Sequence, residues 1–231
     1  KHFIECLRLG DLAGLRTVPK ADLHNHFVLG GSREYIFEKT GIRIESLDRP
    51  LPSMDAMHEW AGKNLGERFN GLEMRILLIE AAFHQAKIDG VTVLEIGEDI
   101  WANRAYFDGN VASLIDAFHA AHKRIAPDIE LRLQIGISRH CSIERLREWL
   151  EPFWEREEFY SIDLYGDELA QPIDKFVPIY KKAKERGLRL KAHLGEWGAA
   201  EDVVEGVKML GLDEIQHGIA AAQSPRAMEF L

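Results

Sequence analysis

Leu72-Glu-Met-Arg-Ile-Leu-Leu-Ile-Glu-Ala-Ala-Phe-His-Gln-Ala-Lys87, followed closely by Gly90-Val-Thr-Val-Leu-Glu-Ile-Gly97, is the stretch that sets the fold class. Its first part carries apolar residues at helical spacing, and its second is a β-branched run bounded by glycines, so a helix leads into a strand. The same order recurs along the chain. A helix over Val111 to Ile125 precedes a strand over Glu130 to Ile137, and a helix over Ser142 to Trp154 precedes Phe159 to Leu164. Phe176 to Arg186 leads into Leu188 to Ala192, and Glu201 to Leu210 into Glu214 to Gln216. The first strand, Ala21 to Phe27, follows a short helix-like segment and Pro19-Lys20, and Gly30-Gly31 marks its end. Gly41 to Pro52, with its prolines and mixed charge, reads as a long loop. Six strands alternating with helices of roughly 10 to 15 residues predict βαβ units and a parallel sheet covered on both faces. An open doubly wound sheet and a closed barrel both fit this order. No G-x-G-x-x-G follows the first strand and no G-x-x-x-x-G-K-[ST] occurs, which removes the nucleotide-binding grounds for the open form.

The 231 residues, 46% of them hydrophobic, fit one domain over residues 1–231 with a packed core. The formal net charge is −9, and no Lys/Arg-rich tract interrupts the acidic excess, which argues against nucleic acid as a partner. Charge breaks every apolar run well short of the ~20 residues of a membrane-spanning helix, and Lys1-His2 opens no signal peptide. A cytoplasmic protein without a membrane partner is expected. Cys6 and Cys141 are the two cysteines, so neither a disulfide framework nor a thiolate zinc site is available. Any metal must be held by histidine and carboxylate.

Four short segments carry the chemistry. His24-Asn25-His26 lies in the first strand, where positions two apart share a face and both imidazoles aim at one spot, half of a zinc site. His193-Leu194-Gly195-Glu196 begins as the strand Leu188 to Ala192 ends, and Gln216-His217-Gly218 closes another. Ile162-Asp163-Leu164-Tyr165-Gly166-Asp167-Glu168 is an acidic and glycine cluster at the end of the fourth strand. All four fall at carboxyl ends of predicted strands, the end at which a parallel barrel builds its active site.

Pro19-Lys-Ala-Asp-Leu-His-Asn-His26, Ser161-Ile-Asp-Leu-Tyr-Gly-Asp-Glu168, His193-Leu-Gly-Glu-Trp-Gly198 and Ile215-Gln-His-Gly218 together resemble the ordered motifs of the adenosine deaminase family of metal-dependent amidohydrolases. The resemblance implies an α/β fold, a TIM-type (β/α)8 barrel of which about six βα units are present, holding one zinc ion. It implies hydrolytic deamination of a 6-aminopurine, adenosine or a relative, with release of ammonia. By the same resemblance, His24, His26 and His193 are the zinc ligands, and His26 also borders the substrate. Glu196 is the general acid and base, His217 orients and polarises the attacking water, Gly166 offers a backbone donor to the purine, and buried Asp163 supports the site. The small-molecule partner is thus an aminopurine or nucleoside. A second zinc deaminase design, with H-x-E and P-C-x-x-C, is excluded by the two isolated cysteines. Alternatives within the same histidine frame are hydrolysis of a cyclic amide or other heterocyclic amine, or a catalytically silent ligand-binding barrel. Iron, cobalt or manganese also suit such a donor set.

Two positions depart from the family. Val28 stands where relatives commonly carry an Asp that touches the sugar hydroxyl, and Gly97 follows Glu95-Ile96 where they commonly carry Arg. Family members also carry an eighth strand ending in an Asp pair, one of which is a zinc ligand; it would follow Leu231, so the C-terminal part of the barrel is expected outside this chain. Asp116, His119 and His122 sit three apart on a predicted helix and read as a solvated face. His58 belongs either to a substrate lid or to a packed amphipathic helix, Glu98 and Asp99 on the functional rim either touch substrate or are loop charges, His140 and Cys141 read as structural, and Trp197 either walls the site or packs against the following helix.

Overall fold

The computed structural model describes residues 1–231. Six strands form in the expected order: β1 (Lys20–Asn25), β2 (Val91–Asp99), β3 (Glu130–Ser138), β4 (Phe159–Tyr165), β5 (Arg189–Leu194) and β6 (Glu214–His217). The chain divides into two compact units, one of Lys1–Pro50, Glu59–Gly97 and Ala112–Arg132, the other of Leu51–His58, Glu98–Val111 and Leu133–Leu231. No helix is long and apolar enough to cross a membrane.

In the first unit β1 lies parallel to β2, with Ala21 opposite Val93, Asp22 opposite Leu94 and Asn25 opposite Ile96. The helix Leu72–Ile88 is its core element. Leu78, Ile79, Ala81, Ala82 and Phe83 on it have no exposed surface, which explains why its apolar residues outnumber those of a one-sided helix. Burying each of the larger side chains stabilises the fold by about 1.5–3 kcal/mol. Gly31 passes so close to this helix that a Cβ there would lie 2.9 Å from the Ala81 methyl, and the Ser32 N–H donates to the Ala81 carbonyl.

The first strand is shorter than its sequence suggests. It stops at Asn25, and His26 becomes the N-cap of a one-turn helix, Phe27–Gly30, whose Leu29 and Gly30 N–H groups donate to the His26 carbonyl. The cause is Phe27, which turns inward to meet Phe118 edge-on at 5.7 Å with the Arg75 guanidinium 5.5 Å from its ring centre. A continued strand would have carried it elsewhere. The helices Arg33–Thr40 and Met54–Asn64 flank a stretch from Gly41 to Pro52 that has neither helix nor strand, as its prolines predict.

In the second unit β3, β4, β5 and β6 run parallel in chain order. Gly136 pairs with Asp163, Asp163 with Lys191, His193 with Gln216 and Leu194 with His217. Every residue of β5 after Arg189 is buried, as a parallel strand covered on both faces requires. Leu194 faces the helix Ala200–Leu210, and Gly206 permits that contact, because a Cβ there would sit 2.5 Å from a Leu194 methyl. Lys191 and His193 therefore point to the opposite face. Leu146 and Leu150 of the helix Ile143–Leu150 and Ile179 and Ala183 of Val177–Glu185 complete the apolar layer. The predicted helix over Ser142 to Trp154 tightens after Leu150 into a 3-10 turn, Glu151–Phe153, which contains a proline.

Candidate active site

In the first unit, His24 and His26 converge despite the early end of β1. Their Nε2 atoms are 3.1 Å apart and the rings meet edge-on with centres 5.1 Å apart. Two imidazole nitrogens at that spacing must share a proton or face a common cation, since two lone pairs would repel. The turn that holds them is fixed from below: the Asp22 carboxylate accepts from the His24 N–H at 3.3 Å and from the Asn25 amide at 2.7 Å.

In the second unit the strand ends place a chain of polar groups. Asp163 on β4 is fully buried, and its Oδ1 lies 3.2 Å from Nδ1 of His193 on β5. Gln134 on β3 donates to the other carboxylate oxygen at 3.3 Å. A carboxylate on Nδ1 fixes the ring and the tautomer that leaves Nε2 as a lone-pair donor, which is the arrangement metal-binding histidines use. The His193 ring centre is 5.0 Å from that of His217, which ends β6. His217 Nε2 in turn lies 3.2 Å from Glu196 Oε2, in a pair about a quarter exposed. Burial pushes the His217 imidazole below its ordinary pKa, an effect the Glu196 carboxylate opposes.

His217 has a left-handed backbone, φ 67°, and Gly218 follows with φ 66°. Such a conformation is uncommon for a residue with a Cβ and clusters at functional sites. Here the turn is held by the Gly218 N–H donating to the Leu194 carbonyl and the Ala220 N–H to the Gly195 carbonyl, both at 2.9 Å.

Gly166 is demanded by its surroundings. Its φ is 90°, and a Cβ would lie 2.9 Å from the His140 ring. His140 Nε2 accepts from the Asp167 N–H at 3.1 Å, and the Arg139 N–H donates to the Tyr165 carbonyl at 2.8 Å, so the turn that presents Gly166 is tied to the end of β3. Just before it, the Tyr165 phenol is hydrogen-bonded to Asp99. Burial, with the Asp99 and Glu98 charges, holds that phenol well above its usual range.

The remaining candidates sort plainly. Asp116 and His119 are exposed, while His122 is half-buried and its Nε2 lies 2.7 Å from the Ile129 carbonyl, so the three form no cluster. Asp99 caps the helix Ile100–Tyr106 by accepting from the Trp101 N–H at 2.8 Å, and Glu98 accepts from the Asp99 N–H at 2.9 Å. Glu168 is the residue whose role escaped sequence reasoning. It is buried and its carboxylate accepts from the Gly195, Trp197 and Gly198 N–H groups. It stood within the acidic cluster, yet no spacing rule connects a carboxylate to amides some thirty residues on.

The adenosine deaminase family model matches residues 73–231. Over 216 residues the chain is 31% identical to a putative adenosine/adenine deaminase of Treponema pallidum (strain Nichols), covering 94% of this chain and 72% of that protein. The chain belongs to the adenosine deaminase family. Among solved structures, the adenine deaminase of Arthrobacter aurescens superposes with a TM-score of 0.71 at 22% identity, covering 92% of this chain and 68% of that one. A zinc-bound amidohydrolase from Burkholderia ambifaria gives 0.69 at 19% identity over 92% and 62% of the two chains. These likenesses show the TIM-type α/β fold of this hydrolase family, with six of its strand-helix units in the present chain. The chain thus spans some two thirds of these family members.

Proposed function

We propose that the protein is a zinc-dependent aminopurine deaminase in which His24, His26 and His193 hold the metal, Glu196 moves protons and His217 orients them. The observation that carries this reading is the chain Asp163 to His193 at 3.2 Å and His217 to Glu196 at 3.2 Å, built on the ends of three neighbouring strands. The donor set suits zinc, which takes neutral imidazole nitrogens: the His24 and His26 Nε2 atoms converge, and Asp163 leaves His193 Nε2 as a lone-pair donor. When bound, zinc supplies Lewis acidity and a water acidic enough to act as a nucleophile near neutral pH.

The side chains account for the protons. Glu196 Oε2 takes the proton that the attacking water loses and gives it to a ring nitrogen, so that the carbon bearing the amine accepts the new bond. The carboxylate then takes the proton of the hydroxyl now on that carbon and passes it to the amine, which leaves as ammonia while a carbonyl remains. His217 Nε2, paired with Glu196 Oε2, holds that carboxylate toward the reacting centre. Burial favours the neutral imidazole, able to donate one hydrogen bond without adding a second cation. The Gly166 N–H, presented on a glycine-only turn, is the donor to the purine.

Val28 refines the substrate. It lies half-buried in the turn Phe27–Gly30 and its side chain has no atom to accept a hydrogen bond, so recognition rests on the purine base rather than on a sugar hydroxyl at this position. The Arthrobacter neighbour named for adenine accords with that, and the Treponema relative is named for both adenosine and adenine. Ammonia release from adenine, adenosine and adenosine monophosphate by zinc-loaded full-length protein tests the proposal, with adenine expected to be the best of the three. No release from any of them would overturn it.

A further inference from the structure

We infer that Glu168 is a positioning residue for Glu196: its buried carboxylate clamps the backbone on both sides of the proton carrier and thereby sets the Glu196–His217 geometry. The inference rests on the deaminase reading above. Glu168 Oε2 accepts from the Gly195 N–H at 2.7 Å, while Oε1 accepts from the Trp197 N–H and from the Gly198 N–H at 2.6 Å. The three amides bracket residue 196, and both oxygens are needed to hold them. Glu168 is 4% exposed, so these bonds replace its hydration, and they are charge-assisted.

The loop has no alternative seat. Gly195 has φ 74°, and a Cβ there would meet a Val203 methyl at 2.6 Å, so its backbone lies pressed against the helix Ala200–Leu210. Its carbonyl accepts from the Ala220 N–H at 2.9 Å. Gly195 therefore links the Glu168 carboxylate on one side to the segment after His217 on the other. The Glu196 side chain itself is about 29% exposed and meets His217 at 3.2 Å. Its aim is set by the backbone that carries it, and Glu168 sets that backbone. Arg139 is also buried, Glu168 is the acid that acts on it most strongly, and its Nε donates to the Gln171 carbonyl at 2.8 Å.

A displacement of reacting groups by about 1 Å costs on the order of 100-fold in rate. Glu168→Gln keeps the volume but turns one acceptor into an NH2 that faces an N–H donor. It is therefore expected to lower kcat about 10- to 100-fold on the best aminopurine, with KM within about threefold and zinc content unchanged. If Glu168 only filled space, the isosteric Gln would restore wild-type kcat, and that result overturns the inference. Should the variant fail to fold, hydrogen exchange on the wild type decides: the Gly195, Trp197 and Gly198 amides are expected to be protected, and rapid exchange at all three overturns the clamp. Wild-type inactivity on every aminopurine refutes the deaminase reading instead, and the same amide protection then judges the clamp by itself.

Discussion

At the proposed zinc site, replacing Asp163 by asparagine and by alanine is expected to weaken zinc binding in two steps while the protein stays folded. The magnitude follows from the geometry. Asp163 is fully buried and the His193 side chain 7% exposed, so the 3.2 Å contact between Oδ1 and Nδ1 is shielded from water and salt. A hydrogen bond to a charged group in such a setting contributes about 1.5–3 kcal/mol. At a factor of ten per 1.4 kcal/mol, its loss weakens binding by about 10- to 150-fold. Partners that orient a metal-bound histidine independently show losses of about 10- to 100-fold. Asparagine retains a neutral acceptor for the Nδ1–H and belongs at the lower end, near tenfold. Alanine leaves both the ring and the Gln134 amide without that acceptor and belongs near 100-fold. Competition against a chromophoric chelator at fixed pH measures the affinities, and near-ultraviolet circular dichroism establishes that both variants are folded. Two folded variants with affinities within about twofold of wild type would refute the role of Asp163 as the group that fixes His193.

Glu196→Gln is expected to lower kcat by about 100- to 10,000-fold with zinc retained, because it removes the proposed proton carrier and no proposed ligand; loss of zinc together with turnover would make Glu196 a ligand instead. Gly136→Ala would place a methyl 2.4 Å from the Tyr165 hydroxyl and is expected to cost about 1–3 kcal/mol, read as a lower Tm in calorimetry; an unchanged Tm would mean that the phenol moves freely. Burial raises the phenols of Tyr165 and Tyr180 well above their unfolded value of about 10. Above that pH the unfolded chain binds fewer protons than the folded one, so stability falls as pH rises further. Phenolate absorbance followed with tertiary circular dichroism should show these two ionising only as the protein unfolds, and ionisation of all five tyrosines in a folded protein would refute it.

β2 to β5 were legible as short β-branched or apolar runs set off by glycine or charge, each after a helix with its own apolar spacing, while the polar β1 and β6 were placed by Pro19, by the helix Ala200–Leu210 and by the glycines that follow them. What was not legible has local causes. Phe27 reads as one more strand residue, since nothing in Asn25-His26-Phe27 announces that its ring will pack on Phe118 and bend the chain into a helical turn. The helix Arg33–Thr40 lacks an apolar stripe and leaves no periodic signature, and Met54–Asn64, which the amphipathic reading around His58 touches, buries no residue fully, so its limits were not legible. Glu168 is the sharpest case. Its partners are backbone amides, and main-chain groups leave no trace in side-chain identity.

Strand limits that shift by one or two residues matter here because the proposed site sits on them. Read from sequence, His193 follows its strand; in the structure β5 continues through Leu194. That places His193 in the alternation with Lys191, on the face opposite Leu194 and its helix. Since Lys191 pairs with Asp163 in the β4–β5 ladder, the next inward residue along β5 is the one that can reach the Asp163 carboxylate, and that residue is His193. One residue further on β6, His217 pairs with Leu194 rather than with His193, and in an ordinary strand it would face away from the site. Its left-handed backbone, with Gly218 after it, breaks the alternation and turns the imidazole back toward His193 and Glu196. The strain at that position is therefore the geometric cost of bringing two imidazoles from staggered rows of the sheet to one centre, and it explains why Gly218 follows the histidine.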